Sequence, residues 1–179
     1  KLNGPSSLVL TRQSLPELKR SKAQIMSINK GGYILRDCKS KIDAILLSSG
    51  SEVHLCLEAS KKLKNNGLEV RVVSVPCLEE FLSQSKSYQN KIIPENCNNI
   101  LAVEAGVGVC WDKLIGKKGK KITMDSFGVS APGDQALQYF GFTISNVIKQ
   151  TKKLIKKNGC YYAYKCSNKW VWKTWQECF

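Results

Sequence analysis

Runs of apolar residues alternate with amphipathic segments along most of this chain. Three apolar runs, at 43–50, 69–76 and 99–106, each end at a glycine or a proline. Runs of this length are typical of strands that are buried on both faces of a parallel sheet. A short strand is also predicted at 31–38, after paired glycines, and a last one at 120–128.

The segment after the first buried run has helical periodicity. Its apolar face is formed by Val53, Cys56, Leu57, Ser60 and Leu63. Ser51 is a predicted N-cap, Glu52 suits the positive end of the helix dipole, and Gly67 is a predicted stop. The pattern therefore predicts a helix between the first two buried strands.

Further helices are predicted after the other strands. One or two short helices fit 77–93, and others fit 107–116, 133–141 and 143–159, the last with Thr143 as a cap. Such strand–helix alternation implies right-handed crossovers and a mostly parallel sheet between two helix layers. Residues 17–30 are highly charged and show no clean period, so they are expected to form a linker.

The first sixteen residues contain an isolated apolar stretch that ends near one arginine. Leu8, Val9 and Leu10 predict a buried strand, Arg12 follows where that strand should end, and Pro16 prevents a helix from starting there. An arginine at a strand end is either solvated surface or an anion ligand. The residues alone leave both readings open.

Charge and length narrow the class of protein. The 179 residues, 42% hydrophobic, suffice for one domain with a full core plus appendages. The net charge of +14 lies mainly at the ends, with +5 in 1–30, +6 in 151–179 and only +3 in 31–150. A nucleic-acid domain would carry its basic face within the fold, so nucleic acid is not an expected partner.

Neither a membrane span nor a signal peptide is expected. No apolar run approaches the roughly 18 residues of a membrane helix, and the stretch at 8–10 is too short for a signal sequence. The chain begins at Lys1 rather than at a methionine, which suggests a fragment or a processed chain.

The eight cysteines do not form a recognisable framework. There is no C-x-x-C pair and one histidine, so a zinc site lacks its usual spacing. We predict free thiols in a reducing compartment.

Two carboxylates are the main candidates for a ligand site within the fold. Glu52 and Glu104 follow predicted strands, at the edge where open α/β sheets bind ligands. They would suit a cation or a polar ligand. The alternative is that Glu52 stabilises a helix dipole and Glu104 makes a hydrogen bond within the packing.

Other motifs have plainer explanations. His54 has no evident catalytic partner and is expected at the surface or its boundary. The segment "AGVGVCW" (105–111) lacks the third glycine of a phosphate loop, so Gly106 and Gly108 are expected to allow a tight turn. The basic "GKKGKK" (116–121) is expected to be a solvated turn.

The tail from Cys160 onward is rich in tyrosine and tryptophan. Trp170 and Trp172 alternate as in a strand. Stacking on bases and insertion at a membrane surface are possible uses of such residues, but packing or partial disorder is the favoured reading.

Seven segments in order resemble the C-terminal region of a transketolase. They are "GPSSLVLTRQSLP", "KGGYILRD", "ILLSSGSEV", "VRVVSVPCLEEF", "AVEAGVGVCWDKLIGKKG", "MDSFGVSAPGDQALQYFGFT" and "NVIKQTKKL". The resemblance covers about residues 4–157. It implies the end of a pyrimidine-binding domain at 1–16, a linker at 17–30, the transketolase C-terminal domain at 31–157 and a tail of unknown role at 158–179.

The resemblance also implies a fold and a reaction. The fold would be a three-layer α/β/α unit with five strands, one antiparallel, and strand 43–49 at the centre between 69–75 and 99–105. The parent enzyme would be a cytoplasmic homodimer using thiamine diphosphate and a divalent metal, Mg or Ca, to transfer a two-carbon ketol group between sugar phosphates. The arginine of "TRQ", Arg12, would contact the substrate phosphate.

The family implies no catalytic, cofactor or metal ligands in this stretch, and no catalysis at Glu52 and Glu104, so the domain alone is expected to be inactive. Related thiamine diphosphate enzymes, 1-deoxyxylulose 5-phosphate synthase or a two-oxo-acid dehydrogenase component, share the domain. The segments "TRQ" and "SAPGD" favour transketolase over both. A non-catalytic dimerisation or regulatory module is the other alternative.

Overall fold

A five-stranded sheet forms the centre of the part of the chain that the structure describes. The structure is a computed structural model that describes residues 4–5, 7–39 and 41–156, and the backbone of 157, 162–166 and 169–173. The strands of this sheet are β1 (Tyr33–Arg36), β2 (Ala44–Ser48), β3 (Val70–Ser74), β4 (Ile100–Val103) and β5 (Lys120–Ile122).

Seven α-helices surround or precede the sheet in the described residues. They are α1 (Lys22–Ser27), α2 (Glu52–Asn65), α3 (Leu78–Ser83), α4 (Lys86–Ile92), α5 (Asp112–Ile115), α6 (Gly133–Tyr139) and α7 (Ile144–Lys157). Short 3-10 turns at Ile28–Lys30 and Gly108–Trp111 extend α1 and precede α5. The predicted region 77–93 thus resolves into two helices.

The strand order is β1-β3-β2-β4-β5, with β2 at the centre. β2 pairs in parallel with both β3 and β4, and β4 pairs in parallel with β5. β1 pairs antiparallel with β3 at the edge. The chain leaves β2 to build β3 on one side and returns to build β4 on the other, so the strand order reverses between β2 and β4.

Side chains alternate between two cores, one on each face of the sheet. Leu46, Val72 and Leu101 face α2 and α7, where Cys56 and Val147 are fully buried. The intervening strand residues face α3, α4 and α5; they include Ile45, Leu47 and Val73, which pack in one cluster with Phe81 of α3. Because both faces are covered, the strands can be continuously apolar, and the predicted three-layer arrangement is confirmed.

The predicted buried strand at Leu8–Leu10 is wrong for this chain. These side chains are 83%, 92% and 74% exposed, and no strand runs through them. A strand needs a neighbour to bond its backbone and a layer to cover its side chains. Nothing in the described part of the chain offers either to this segment.

The last predicted strand is shorter than expected. β5 ends at Ile122; one further bond joins Met124 N to Gly106 O at 2.9 Å, and the chain then leaves the sheet. Phe127 is 98% exposed. The turn-forming sequence Asp125–Gly128 has no strand to pair with on its outer side among the described residues, which explains the early end.

The segment expected to be a linker contains a short helix that the hydrophobic pattern did not reveal. Ser21 and Gln24 form a capping box at the start of α1. The Gln24 side-chain amide donates to the carbonyl oxygens of Ile34 at 3.0 Å and Leu35 at 2.9 Å. α1 therefore binds to the edge of β1 through polar contacts, which apolar periodicity does not detect.

The predicted ends of the longer helices agree in part with the structure. Thr143 caps α7, because its Oγ1 accepts from Asn146 N at 3.2 Å. Gly67 follows α2 with a φ of +78°, as a helix stop requires. Ser51 makes no capping bond, and this prediction is wrong: its hydroxyl donates instead to Glu52 Oε1 at 2.6 Å.

Four described cysteines, Cys38, Cys56, Cys77 and Cys110, are free thiols. Burial raises the pKa of the fully buried Cys56 to about 12, so this thiol is unreactive in the folded state. The side chains of Cys160, Cys166 and Cys178 lie outside the described residues. The reducing compartment stays a prediction.

The tail forms two strands, β6 (Tyr162–Cys166) and β7 (Lys169–Lys173), paired antiparallel. Strand geometry at Trp170 and Trp172 agrees with their alternation, whereas the packing of their side chains lies outside the described residues. A search of the described residues found no helix that combines the length and the apolar character needed to cross a membrane.

Candidate functional site

Arg12 lies at a bend in an exposed segment before the first helix. Within the described residues its guanidinium has no hydrogen bond or ion pair, so its donors are available to a ligand. The three residues that follow, Gln13 to Leu15, line a cavity of about 410 Å³. The arginine is therefore the last residue before the chain meets the folded domain.

This cavity lies at the carboxyl edge of the sheet, where α2 begins. Its other walls come from the start of α2, from α6 and from the turn before α7; they are Ser51, Glu52, His54, Leu55, Asp134, Leu137, Gln138, Phe142 and Thr143. The lining is mixed, with two carboxylates and one histidine. Because carboxylates repel a phosphate, the acidic part of this lining does not suit an anion.

Glu52 and Glu104 lie at the reversal point between β2 and β4, as predicted. Ser49 Oγ donates to Glu104 Oε2 at 2.6 Å, which ties the loop after β2 to the loop after β4. In the other direction, Ala105 N donates to Glu52 Oε2 at 3.2 Å. Glu104, after β4, thus binds the loop after β2, and Glu52, at the start of α2, binds the loop after β4.

These reciprocal bonds favour a structural role of the two carboxylates over a ligand site. Glu52 is only 4% exposed, and its other oxygen accepts from Ser51 Oγ at 2.6 Å. The described residues contain no group of three or more histidine, cysteine or acidic side chains that could hold a metal ion. The crevice is occupied by the protein's own hydrogen bonds, which supports the packing role.

Gly106 and Gly108 differ in how much space the 105–111 loop leaves for a side chain. A Cβ on Gly108 would lie 2.7 Å from Thr123 Oγ1, so a larger residue would force the loop away from β5. A Cβ on Gly106 would meet Glu104 only at ordinary contact distance, 3.6 Å. Gly108 is thus required by the close approach to Thr123, and the tight-turn interpretation of the two glycines stays a prediction.

His54 is partly exposed on the first turns of α2, as expected, and contributes to the cavity wall. Its backbone N–H bonds Ser51 O at 3.3 Å, and no side-chain partner is seen within the described part of the chain.

Comparison with known proteins identifies the family of this domain. A family model described as the transketolase-like TK C-terminal domain matches residues 31–143, well over half of the chain. The chain belongs to this family. The matched range holds all five strands of the main sheet and both carboxylates of the crevice.

Curated relatives extend this transketolase match towards both ends. The chain is 42% identical over 153 residues to transketolase 2 of Aliivibrio fischeri, covering 86% of the chain and 23% of the relative. It is 40% identical over 157 residues to transketolase 2 of Escherichia coli, and this match covers 88% of the chain and 24% of the relative. The chain thus spans about a quarter of the length of these transketolases.

Solved transketolase structures share the fold. A structure of Pichia stipitis transketolase in complex with sedoheptulose 7-phosphate superposes with a TM-score of 0.72 at 33% identity, covering 80% of this chain and 20% of that one. The five-stranded sheet with one antiparallel strand is therefore the arrangement of a transketolase C-terminal domain.

One buried charge in the transketolase domain was not anticipated from the sequence. Arg71, on β3, is 9% exposed and bonds Asp37 at 2.8 Å. Its Nη1 also donates to the carbonyl oxygens of Lys91 at 3.0 Å and Ile92 at 2.9 Å, at the end of α4. An arginine inside the apolar run "EVRVVSVP" was the available signal, and its partners show that it is structural.

Glu104 makes the stability of the fold depend on pH. The pKa of Glu104 is raised, first by burial and further by the nearby charge of Glu52, while the Ser49 hydrogen bond opposes the shift. A carboxyl with a raised folded-state pKa destabilises the fold once pH exceeds its ordinary value, because the buried group must then ionise.

We expect Glu104→Gln to be more stable than the wild type at pH 8, with a difference that shrinks as the pH is lowered towards 4.5. Glutamine keeps an acceptor for Ser49 and carries no charge. Thermal melting of both proteins between pH 4.5 and pH 8 measures this difference in stability. Glu58→Gln is the control, because the Lys61 bond at 2.6 Å lowers the pKa of Glu58 and should give a small dependence of opposite sign. A Glu104→Gln variant less stable than wild type at pH 8 would contradict the assignment.

Proposed function

We propose that this chain is the C-terminal part of a transketolase, an enzyme that reversibly transfers a two-carbon ketol group from a ketose phosphate to an aldose phosphate. The observation that carries the proposal is the 42% identity over 153 residues to a transketolase. The relatives and structures reported above bear the name transketolase, so a 1-deoxyxylulose 5-phosphate synthase or a dehydrogenase component is not favoured.

In this proposal the domain supports the fold and the dimer and does not react by itself. The proposed division is the end of the pyrimidine-binding domain at 1–16, a connection at 17–30, the C-terminal domain at 31–157 and the tail at 158–179. Exposed apolar side chains support further contacts, since Leu8, Val9 and Phe127 are each more than 80% exposed. The rest of a cytoplasmic homodimer would cover them.

The cofactor would be held elsewhere in the enzyme. Thiamine diphosphate, held through Mg or Ca by other parts of the enzyme, would supply the nucleophile and the electron sink for this transfer. The described residues offer no metal-ligand cluster, and the carboxylates of the crevice are engaged with each other's loops. These residues do not fit the group, so we assign it no ligand in this chain.

Arg12 is the one residue of this chain that we assign to substrate. Its guanidinium is permanently charged and offers a planar fork of donors that matches two phosphate oxygens. It is exposed and unpaired in the described structure, and it directly precedes residues 13–15, which line the cavity at the carboxyl edge of the sheet. We propose that it binds the terminal phosphate of the sugar, away from the bond that breaks.

Activity measurements on two proteins test the proposed function. The complete protein that carries this sequence should convert xylulose 5-phosphate and ribose 5-phosphate when thiamine diphosphate and magnesium are added. The 179-residue chain alone should neither turn over these sugars nor bind the cofactor in a calorimetric titration. A micromolar dissociation constant of the chain alone for thiamine diphosphate would refute the proposal that the cofactor is held elsewhere in the enzyme. Absence of turnover by the complete protein would favour a non-catalytic dimerisation or regulatory module.

A further inference from the structure

A second cavity lies at the opposite, amino-terminal edge of the sheet. Its volume is about 420 Å³, within the range of small-molecule sites. It is bounded by α4, by the loop that leads into β4 and by the loop 116–118 between α5 and β5. It shares no residue with the carboxyl-edge cavity beside Arg12.

The cavity has an apolar floor and a basic rim. The floor is formed by Ile93, Pro94 and Leu114, which are partly exposed, above the buried Ile100 and Ile115. The rim carries Lys113, Lys117 and Lys118, with Lys86 opposite them on α4. Four lysines face one glutamate, Glu95, so the mouth of this cavity is strongly positive.

The glycines of the "GKKGKK" motif set the position of two of these lysines. Gly116 adopts φ +62° and ψ −174°, a conformation that is essentially restricted to glycine. A Cβ on Gly119 would lie 2.4 Å from Ile115 O and 3.0 Å from Ile100 O, so the loop returns directly against the cavity floor. Lys117 and Lys118 therefore extend from a tightly constrained turn, whereas the sequence suggested only a solvated one.

The charge of the rim is not neutralised internally. Within the described residues, Lys113, Lys117 and Lys118 form no ion pair, and Lys86 contacts only Gln89 Oε1, at 3.3 Å. Glu95 is engaged by Asn90 Nδ2 at 2.9 Å. The neighbouring Lys121 has its own partner, Asp112, at 2.6 Å. The four lysines of the rim thus have no acidic partner among the described residues.

We infer that this cavity binds an organic phosphate, with the apolar body of the ligand on the floor and its phosphate at the lysine rim. Phosphate is the dianion that clustered lysines select, and an apolar floor adds affinity only for a ligand with a carbon body. This inference does not depend on the proposed transketolase reaction or on Arg12.

Three probes test the two halves of the site on the 179-residue chain. Adenosine monophosphate has both an aromatic base, whose ring faces can pack on apolar side chains, and a phosphate; adenosine lacks the phosphate, and inorganic phosphate lacks the base. Calorimetric titration at low salt should show saturable binding of adenosine monophosphate, at least about tenfold tighter than either control. Absence of saturable binding, or equal affinity for adenosine monophosphate and inorganic phosphate, would overturn the inference.

Two triple variants then locate the site. Lys113→Ala, Lys117→Ala and Lys118→Ala together should weaken the binding of adenosine monophosphate about tenfold, as expected for three exposed charge contacts. Lys61→Ala, Lys62→Ala and Lys64→Ala remove the same charge from α2, on the other face of the sheet, and should change it less than about twofold. Equal losses of affinity in both variants would mean that adenosine monophosphate is attracted nonspecifically by positive charge, and would overturn the assignment of the site. Thermal melting verifies that both variants are folded.

Discussion

Replacing Leu46 by alanine is expected to lower the free energy of unfolding by about 2–5 kcal/mol. Leu46 is fully buried at the centre of β2, between Val72 on β3 and Leu101 on β4, and it faces the core under α2 and α7. Deletion of its side chain removes buried apolar surface and leaves a cavity. Neighbours on two strands and two helices limit how far the surroundings can collapse into it.

Urea unfolding followed by circular dichroism measures this loss. Leu8→Ala is the matched control, because the same atoms are removed from a side chain that is 83% exposed. That variant should change stability by less than about 0.5 kcal/mol. A loss below about 1 kcal/mol for Leu46→Ala would contradict the central position of β2.

Replacing Arg12 by alanine in the complete enzyme is expected to lower kcat/KM about 10- to 150-fold for phosphorylated ketoses. A hydrogen bond to a charged group is worth roughly 1.5–3 kcal/mol, and each 1.36 kcal/mol is a factor of about ten. The phosphate is remote from the bond that breaks, so it is held similarly in the ground and transition states. The loss should therefore appear mainly in KM.

A ketose without a phosphate is the substrate control for Arg12. Such a donor offers nothing to the guanidinium, so its kcat/KM should be little affected by the substitution. Lys19→Ala is the control for charge, because it removes an exposed cation seven residues away. Equal losses for phosphorylated and unphosphorylated donors would make Arg12 a structural residue and remove its assignment to substrate.

The apolar runs predicted the main sheet well because burial on both faces leaves a strong signal. β2, β3 and β4 lie within the predicted runs, and their buried residues are the ones that the pattern marked. The order of these strands came from the family resemblance rather than from the pattern. α1 was missed because its contacts with β1 are polar, and polar contacts have no periodicity to detect.

For the candidate sites, too, the sequence predicted positions along the sheet but not the contacts of the side chains. Glu52 and Glu104 were correctly placed at one edge of the sheet, since each follows a buried strand. Sequence could not show that Glu104 binds Ser49 and that Glu52 binds the backbone of Ala105. These residues meet only after β2 and β4 pair. Sequence likewise could not bring the lysines of α4 and of the 116–121 loop to the same cavity.

By itself the sequence determined the class of fold and the family. These depend on local pattern and on residue type, which are present before the chain folds. Only the tertiary structure decided which charges are satisfied, because a partner is defined by distance in space. It showed Arg71 paired and buried, the two glutamates engaged across the crevice, and the lysines of the amino-edge cavity without an internal counter-charge among the described residues.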